Sequence, residues 1–310
     1  MSAARIGLVG ARGHTGRELI RLISARDDME LIFASSRELG GKMVTDVAPE
    51  ADPTLHFATL GPDEIASSGV DAVILALPNG ASAGFVAAIE AQAPDTLIVD
   101  LSADYRFDAD WAYGLPEIQG RDHIAASRRI ANPGCYATAG QLAIAPMRDE
   151  LAGAAHVFGV SGYSGAGTTP SRKNDTDALR DNLMPYALAG HIHEREMSRH
   201  LDCDVRFSPH VAAFFRGICA TVHLGLKTPL TSAEILARYQ ACYADEALIR
   251  VTAEIPELRD GAFQPGALIG GFTLSEDGHH LVVVSVLDNL LKGAAVQAVQ
   301  NLAIALELPE

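Results

Sequence analysis

Seven residues near the start of the chain constrain its fold most: Gly10-Ala11-Arg12-Gly13-His14-Thr15-Gly16. They join a short apolar run at 5–10 to a helical pattern carried by Leu19, Ile20, Leu22 and Ile23. A glycine-rich turn between strand and helix permits a tight reversal, close approach of a pyrophosphate, and close helix–strand packing. The spacing is G-x-x-G-x-x-G, not the commoner G-x-G-x-x-G, so its weight comes from its place at the head of a βαβ pattern. Gly10, Arg12, Gly13, His14, Thr15 and Gly16 are therefore candidate cofactor-binding residues. Apolar runs at 29–34, 70–77 and 96–101 continue the pattern, with an Ala-rich helical stretch at 81–93. Strands alternating with helices in this way predict a parallel α/β sheet with right-handed crossovers.

The second half reads differently. Strand-like runs fall at 156–160, 205–208, 218–226, 267–274 and 280–286, the last two separated only by a turn. That spacing predicts a mixed or antiparallel sheet, with covering helices at 191–200 and 232–244. The final segment, 290–306, reads as an amphipathic helix able to pack back on the first domain. The expectation is α/β: a Rossmann-type dinucleotide-binding domain from 1–134 and 287–310, and an α+β catalytic, substrate and oligomerisation domain with a mixed sheet from 135–286.

The end of the second strand bears on which dinucleotide binds. Sites preferring NAD place an acid there for the ribose 2′-hydroxyl, but this chain has Ser35, Ser36 and Arg37 before its first acid, Glu38. Hydroxyls and a guanidinium suit a 2′-phosphate, which makes NADP the expected cofactor. A solvated surface role is the competing reading of Arg37. Pro78, in the turn Leu77-Pro78-Asn79-Gly80, is expected to border the nicotinamide.

Charge and cysteine usage exclude other classes. A formal net charge of −15 argues against non-specific nucleic-acid binding. No apolar run approaches the ~20 residues of a membrane span, and 6–11 is too short for a secretory core. The four cysteines, Cys135, Cys203, Cys219 and Cys242, show no C-x-x-C spacing. They fit reduced thiols in a cytoplasm better than disulfides or zinc.

One of those thiols stands out. Asn132-Pro133-Gly134 discourages helix, and 136–145 reads as an Ala-rich helix, so Cys135 sits at or just before a helix N-terminus. Unpaired N–H groups and the macrodipole favour a thiolate there. A buried structural cysteine is the competing reading.

The stretch Asn-Pro-Gly-Cys-Tyr-Ala-Thr at 132–138, with Gly-Ala-Arg-Gly-His-Thr-Gly-Arg-Glu-Leu at 10–19, resembles the N-acetyl-γ-glutamyl-phosphate reductase family of arginine biosynthesis, in the semialdehyde dehydrogenase superfamily. Further segments agree in order: Ala-Leu-Pro-Asn-Gly at 76–80, Asp-Leu-Ser-Ala-Asp-Tyr-Arg at 100–106, and Tyr-Gly-Leu-Pro-Glu at 113–117. Later come Ser-Gly-Tyr-Ser-Gly-Ala-Gly at 161–167, Phe-Arg-Gly-Ile at 215–218, and Asp-Asn-Leu-Leu-Lys-Gly-Ala at 288–294. The resemblance implies NADPH-dependent reduction of an acyl phosphate to an aldehyde through a thioester on Cys135. It implies a histidine acid/base in the His191-Ile192-His193 segment, although the following residues depart from the family's Pro-Glu-Ile ending. His193 is favoured over His191, a choice the spacing leaves open because residues two apart on a helix point in different directions.

The same resemblance implies phosphate or substrate contacts from Arg106, Asn132 and Arg216, and cofactor contacts from Ser164, Gly165 and Asn289. A structural salt bridge competes as the reading of both arginines. The spacing matches no helical metal motif and thioester chemistry needs no metal, so none is expected. The expected partners are a small acyl phosphate and further copies of the chain, as dimer or tetramer. Two other readings stay in view: an aspartate-semialdehyde-dehydrogenase-like reductase, and a non-catalytic dinucleotide sensor. The segments at 100–106 and 113–117 favour the acetylglutamyl reading over the aspartyl one.

Overall fold

The computed structural model describes residues 3–310. They form two compact units, one running to Pro133 and completed by Ala294–Glu310, the other Gly134–Gly293.

The first unit is built on six parallel strands: β1 (Ala4–Val9), β2 (Met29–Ser35), β3 (Ala72–Leu75), β4 (Leu97–Asp100), β5 (Ala112–Tyr113) and β6 (Arg129–Ala131), in the order β2-β1-β3-β4-β6-β5. All four residues of β3 and of β4 are buried. A parallel sheet covered on both faces needs such unbroken apolar runs, and successive side chains serve opposite faces. Ile74, Leu97 and Val99 join Leu19, Ile20 and Ile23 of the first helix, His14–Ser24, on one side. Val73, Leu75 and Ile98 join Val86 and Ile89 of the helix Ala83–Gln92 on the other. The short strands β5 and β6 carry two and three residues and escaped the sequence reading.

One expectation needs correcting. The C-terminal helix, Val296–Ala305, is not amphipathic: everything from Gln297 to Ala305 is buried. Its polar residues are satisfied internally, which is why they tolerate burial. Asn301 Nδ2 donates to Gly114 O and to Asn132 Oδ1, and Gln297 Nε2 donates to Gln300 Oε1.

The second unit has seven strands: β7 (Ala155–Gly162), β8 (Leu183–Pro185), β9 (Val205–Ala212), β10 (Ile218–Gly225), β11 (Ile249–Val251), β12 (Ala267–Leu274) and β13 (His280–Leu287). Their order is β11-β12-β13-β10-β7-β9-β8. The sheet is mixed, with β7–β9 and β11–β12 parallel and the remaining pairs antiparallel. Residues of β7, β9 and β10 alternate between buried and solvent-facing. Such alternation marks a sheet with one covered face. The helices Cys135–Ile144 and Ile192–Leu201 pack on these strands, and within the unit the other face exposes His156, Phe158 and His223.

Candidate active site

In the first unit the glycine loop divides three tasks among three glycines. Gly10 has φ +83°, and a Cβ there would collide with the carbonyl of Ala76. Gly16 lets the first helix close on the strand end, since a Cβ would lie 2.6 Å from Ala11 O. Gly13 differs: nothing lies within 4 Å of where its Cβ would be. It is also the N-cap of the helix and supplies no side-chain cap. An anion can take the place a capping side chain would hold, with a pyrophosphate approaching over open glycine. The loop therefore fits a dinucleotide.

The residues around the second strand sort by partner. Ser35 and Ser36 are buried, and their Oγ atoms accept from the amides of Leu60 and Leu39. Arg12 pairs with Glu38 at 2.5 Å. Arg37 is exposed and, among the described residues, forms no ion pair.

The 76–80 turn is exposed at Pro78 and held from behind by the 100–106 segment. Asn79 Oδ1 accepts from Ala103 N, and Gly80 N donates to the Asp104 carboxylate. Ser82 and Ser102 both donate their hydroxyls to Asp100, whose fully buried carboxyl is pushed up in pKa by desolvation against the pull of those hydroxyls. Arg106, also buried, donates to the carbonyls of Asn132 (2.9 Å) and Leu101 (2.8 Å). Asn132 in turn donates to Ala294 O and accepts from Asn301. These contacts brace the C-terminal ends of the strands.

In the second unit, the helix Cys135–Ile144 begins on the thiol, with Gly134 as an N-cap that offers no side chain. Cys135 is half-buried, while every following residue of that helix is buried. Two close approaches fix it. The amide of Gly134 donates to Oε1 of the fully buried Glu196 at 2.8 Å. Gly293 lies so near that a Cβ there would sit 2.8 Å from Cys135 Cβ.

A row of aromatic rings runs from Tyr136, next to the thiol in the chain, through His193 and His191 to Tyr186. Tyr136 donates to His210 O, and its ring stands 6.1 Å from that of His193. His193 is 4.8 Å from His191 between centroids, and His191 is 5.6 Å from Tyr186. Burial pushes both tyrosine hydroxyls up in pKa, and the charge of Cys135 adds to each shift.

The two histidines are not equivalent. His191 caps the helix Ile192–Leu201, its Nδ1 accepting from His193 N at 3.1 Å, so its remaining proton belongs on Nε2. Burial first, and then the positive charge of Lys173, hold its pKa below the ordinary imidazole value. His193 stands in the first turn of the same helix; it enters the cap through its backbone N–H, not its ring. Glu194 accepts from Gly190 N and Phe207 N.

The remaining expected residues lie together in this unit. Arg216 grips Asp288 bidentately at 2.6 and 2.9 Å, with Asp288 fully buried, and stacks its guanidinium over Phe263. Asn289 accepts from Gly217 N and donates to Ser164 Oγ, beside Gly165. The 288–289 pair thus ties together the loops carrying Arg216 and Ser164.

Sequence reasoning missed Gly293, Tyr186 and Lys173, and read Glu196 only as a possible metal ligand rather than as the acceptor that holds Gly134. Glu196 carried a signal, three positions after His193 and so on the same helical face. The others come from distant loops with no local mark.

Residues 5–127 match the family described as "Semialdehyde dehydrogenase, NAD binding domain". Residues 135–289 match the one described as "Semialdehyde dehydrogenase, dimerisation domain". The chain is 56% identical over 301 residues to the N-acetyl-gamma-glutamyl-phosphate reductase of Xanthomonas campestris pv. campestris strain 8004, covering 97% of this chain and 95% of that protein. It is 56% identical over 309 residues to the enzyme of that name from Stenotrophomonas maltophilia strain R551-3, covering 100% and 97%. Among solved structures, aspartate semialdehyde dehydrogenase II of Vibrio cholerae, complexed with ASA, matches with a TM-score of 0.80 over 99% of both chains. At 16% identity that match speaks to the fold.

Proposed function

The chain belongs to the semialdehyde dehydrogenase family, and on that premise we propose that it reduces N-acetyl-γ-glutamyl phosphate to N-acetylglutamate semialdehyde with NADPH, releasing phosphate. The observation that carries this reading is Cys135, half-buried at the N-terminus of a helix whose N-cap offers no side chain, in the same unit as the row of rings Tyr136, His193, His191 and Tyr186. The 56% identity to reductases of that name over nearly the whole chain supports the choice of substrate.

Each residue has a task. Helix N–H groups stabilise the Cys135 thiolate, which attacks the acyl carbon; the C–O bond to phosphate breaks and a thioester forms. A dinucleotide held by the first unit would supply the hydride that this thioester accepts. His193 gives a proton to the developing thiohemiacetal oxygen and takes it back as the C–S bond breaks, freeing aldehyde and thiolate. His191, its Nδ1 committed to the helix cap, orients the ring of His193. Glu196 and Gly293 hold the thiol's backbone in place. Arg106 and Arg216 act as positioning residues, bracing the loops described above rather than gripping phosphate directly.

The 10–16 loop holds the pyrophosphate, and Ser35, Ser36 and Arg37 select the 2′-phosphate, so the cofactor is NADP rather than NAD. The enzyme works as a homo-oligomer in the cytoplasm, joined through the sheet face that bears Phe158 and His223.

Steady-state assays with N-acetylglutamyl phosphate and aspartyl phosphate, run side by side with NADPH, test this. Turnover of the first, lost in Cys135→Ser, is the expected result. Preference for aspartyl phosphate replaces the substrate, and turnover of neither leaves a dinucleotide-binding sensor.

A further inference from the structure

A lysine rests on Tyr186, the end of the aromatic row that begins at Tyr136, and among the described residues no acid answers it. Lys173 is half-buried, and its Nζ lies 4.7 Å from the centroid of the Tyr186 ring. Among the described residues it meets no carboxylate, in a chain holding 39 acidic residues against 24 basic ones. Its charge reaches His191, the neighbour of His193. Other cations of this unit are occupied differently: Arg216 is held by Asp288, and Lys292 is fully buried.

Lys173 is also held in place. Its neighbour Asn174 donates from Nδ2 to the carbonyls of Gly167 and Thr169, while Oδ1 accepts from Ser171 N. These three bonds cross-link the 167–174 loop. A cation resting on an aromatic face keeps its full charge while shedding part of its water, a state that an arriving anion completes.

The substrate proposed above, on which this inference rests, carries two anionic groups. Phosphate departs in the first step; the free carboxylate beside the amide stays through the thioester and into the product. We propose that Lys173 receives this free carboxylate and so sets the preference for acidic acyl groups over neutral ones. Tyr186 presents the ammonium, and Asn174 keeps the loop in register.

The test compares Lys173→Gln and Lys173→Arg with the parent, using N-acetylglutamyl phosphate and a neutral acyl phosphate, butyryl phosphate. In the glutamine variant the ratio of the two kcat/KM values should fall about 10- to 100-fold, the loss expected for one charge-assisted contact, and arginine should restore most of it. A second arm needs no turnover: alkylation of the Cys135 thiol by iodoacetate and by iodoacetamide, with Cys135→Ser as background. The anionic reagent should lose several-fold against the neutral one in Lys173→Gln. An unchanged iodoacetate-to-iodoacetamide ratio overturns the assignment, as does an equal loss on both acyl phosphates. If the parent ignores N-acetylglutamyl phosphate, the proposed function fails, and the alkylation arm still decides the role of Lys173.

Discussion

The two units hold their reactive partners by opposite means. In the first, the glycine loop is one stretch of seven residues, and it acts through backbone: Gly10 for the turn, Gly16 for packing, Gly13 for an open approach. In the second, the thiol's surroundings converge from remote parts of the chain: Glu196 on Gly134 across 62 residues, Gly293 against Cys135, Tyr186 and Lys173 from a loop. A site of backbone amides tolerates substitution wherever a Cβ finds room. A site of converging side chains is sensitive at many scattered points, each replaceable only by a residue of like chemistry.

The comparison can be broken first at the thiol. Cys135→Ser should cut turnover by about 10⁴-fold or more, because a hydroxyl is barely nucleophilic at neutral pH without a thiolate's low pKa. NADPH binding, followed by fluorescence titration, should remain. If that binding disappears as well, the two units do not divide the labour as described.

Next come the histidines. His193→Asn should lower kcat by about two to four orders of magnitude, as expected for lost general acid–base catalysis. It should also slow alkylation of the thiol near pH 7. His191→Asn should act more weakly, because asparagine can take over the helix cap and only the ring packed against His193 is lost. The reverse ranking exchanges their roles.

The glycine loop sharpens the contrast from the other side. Gly10→Ala places a Cβ against Ala76 O at φ +83° and should cost about 3 kcal/mol or more, visible as a lowered Tm. Gly13→Ala meets open space and should leave Tm nearly unmoved while weakening dinucleotide binding. Equal losses of Tm would mean that the loop is not divided by task.

A smaller effect than at His193 is expected at Arg37. Arg37→Ala should raise the KM for NADPH through loss of a contact worth roughly 1.5–3 kcal/mol, and leave that for NADH nearly unchanged. A parent enzyme that prefers NADH removes the basis for this expectation.

What was legible in the sequence follows the same divide. Periodicity alone located β3, β4 and the hairpin β12–β13, because buried parallel strands are continuously apolar and the hairpin is punctuated by a turn. The helix start at Cys135 was legible from Asn132-Pro133-Gly134, a local signal. The C-terminal helix was misread because Gln297, Gln300 and Asn301 look like a solvent face, when each finds a buried partner. Arg106 and Arg216 look alike in sequence as phosphate-seeking guanidinium groups. Nothing local says that one meets backbone carbonyls and the other a buried aspartate 72 residues away.

The helix Val296–Ala305, buried in the first unit, also has a consequence for biosynthesis. A ribosome delivers β1 to β6 first, then the whole of Gly134–Gly293, and only then the helix that seals Leu8, Ile20 and Val99 from water. At 5–20 residues per second the unsealed sheet waits on the order of 10–30 s. Throughout that interval the nascent chain presents an apolar sheet face to solvent, the kind of surface that chaperones bind. The second unit, contiguous in sequence, can close before the first is finished.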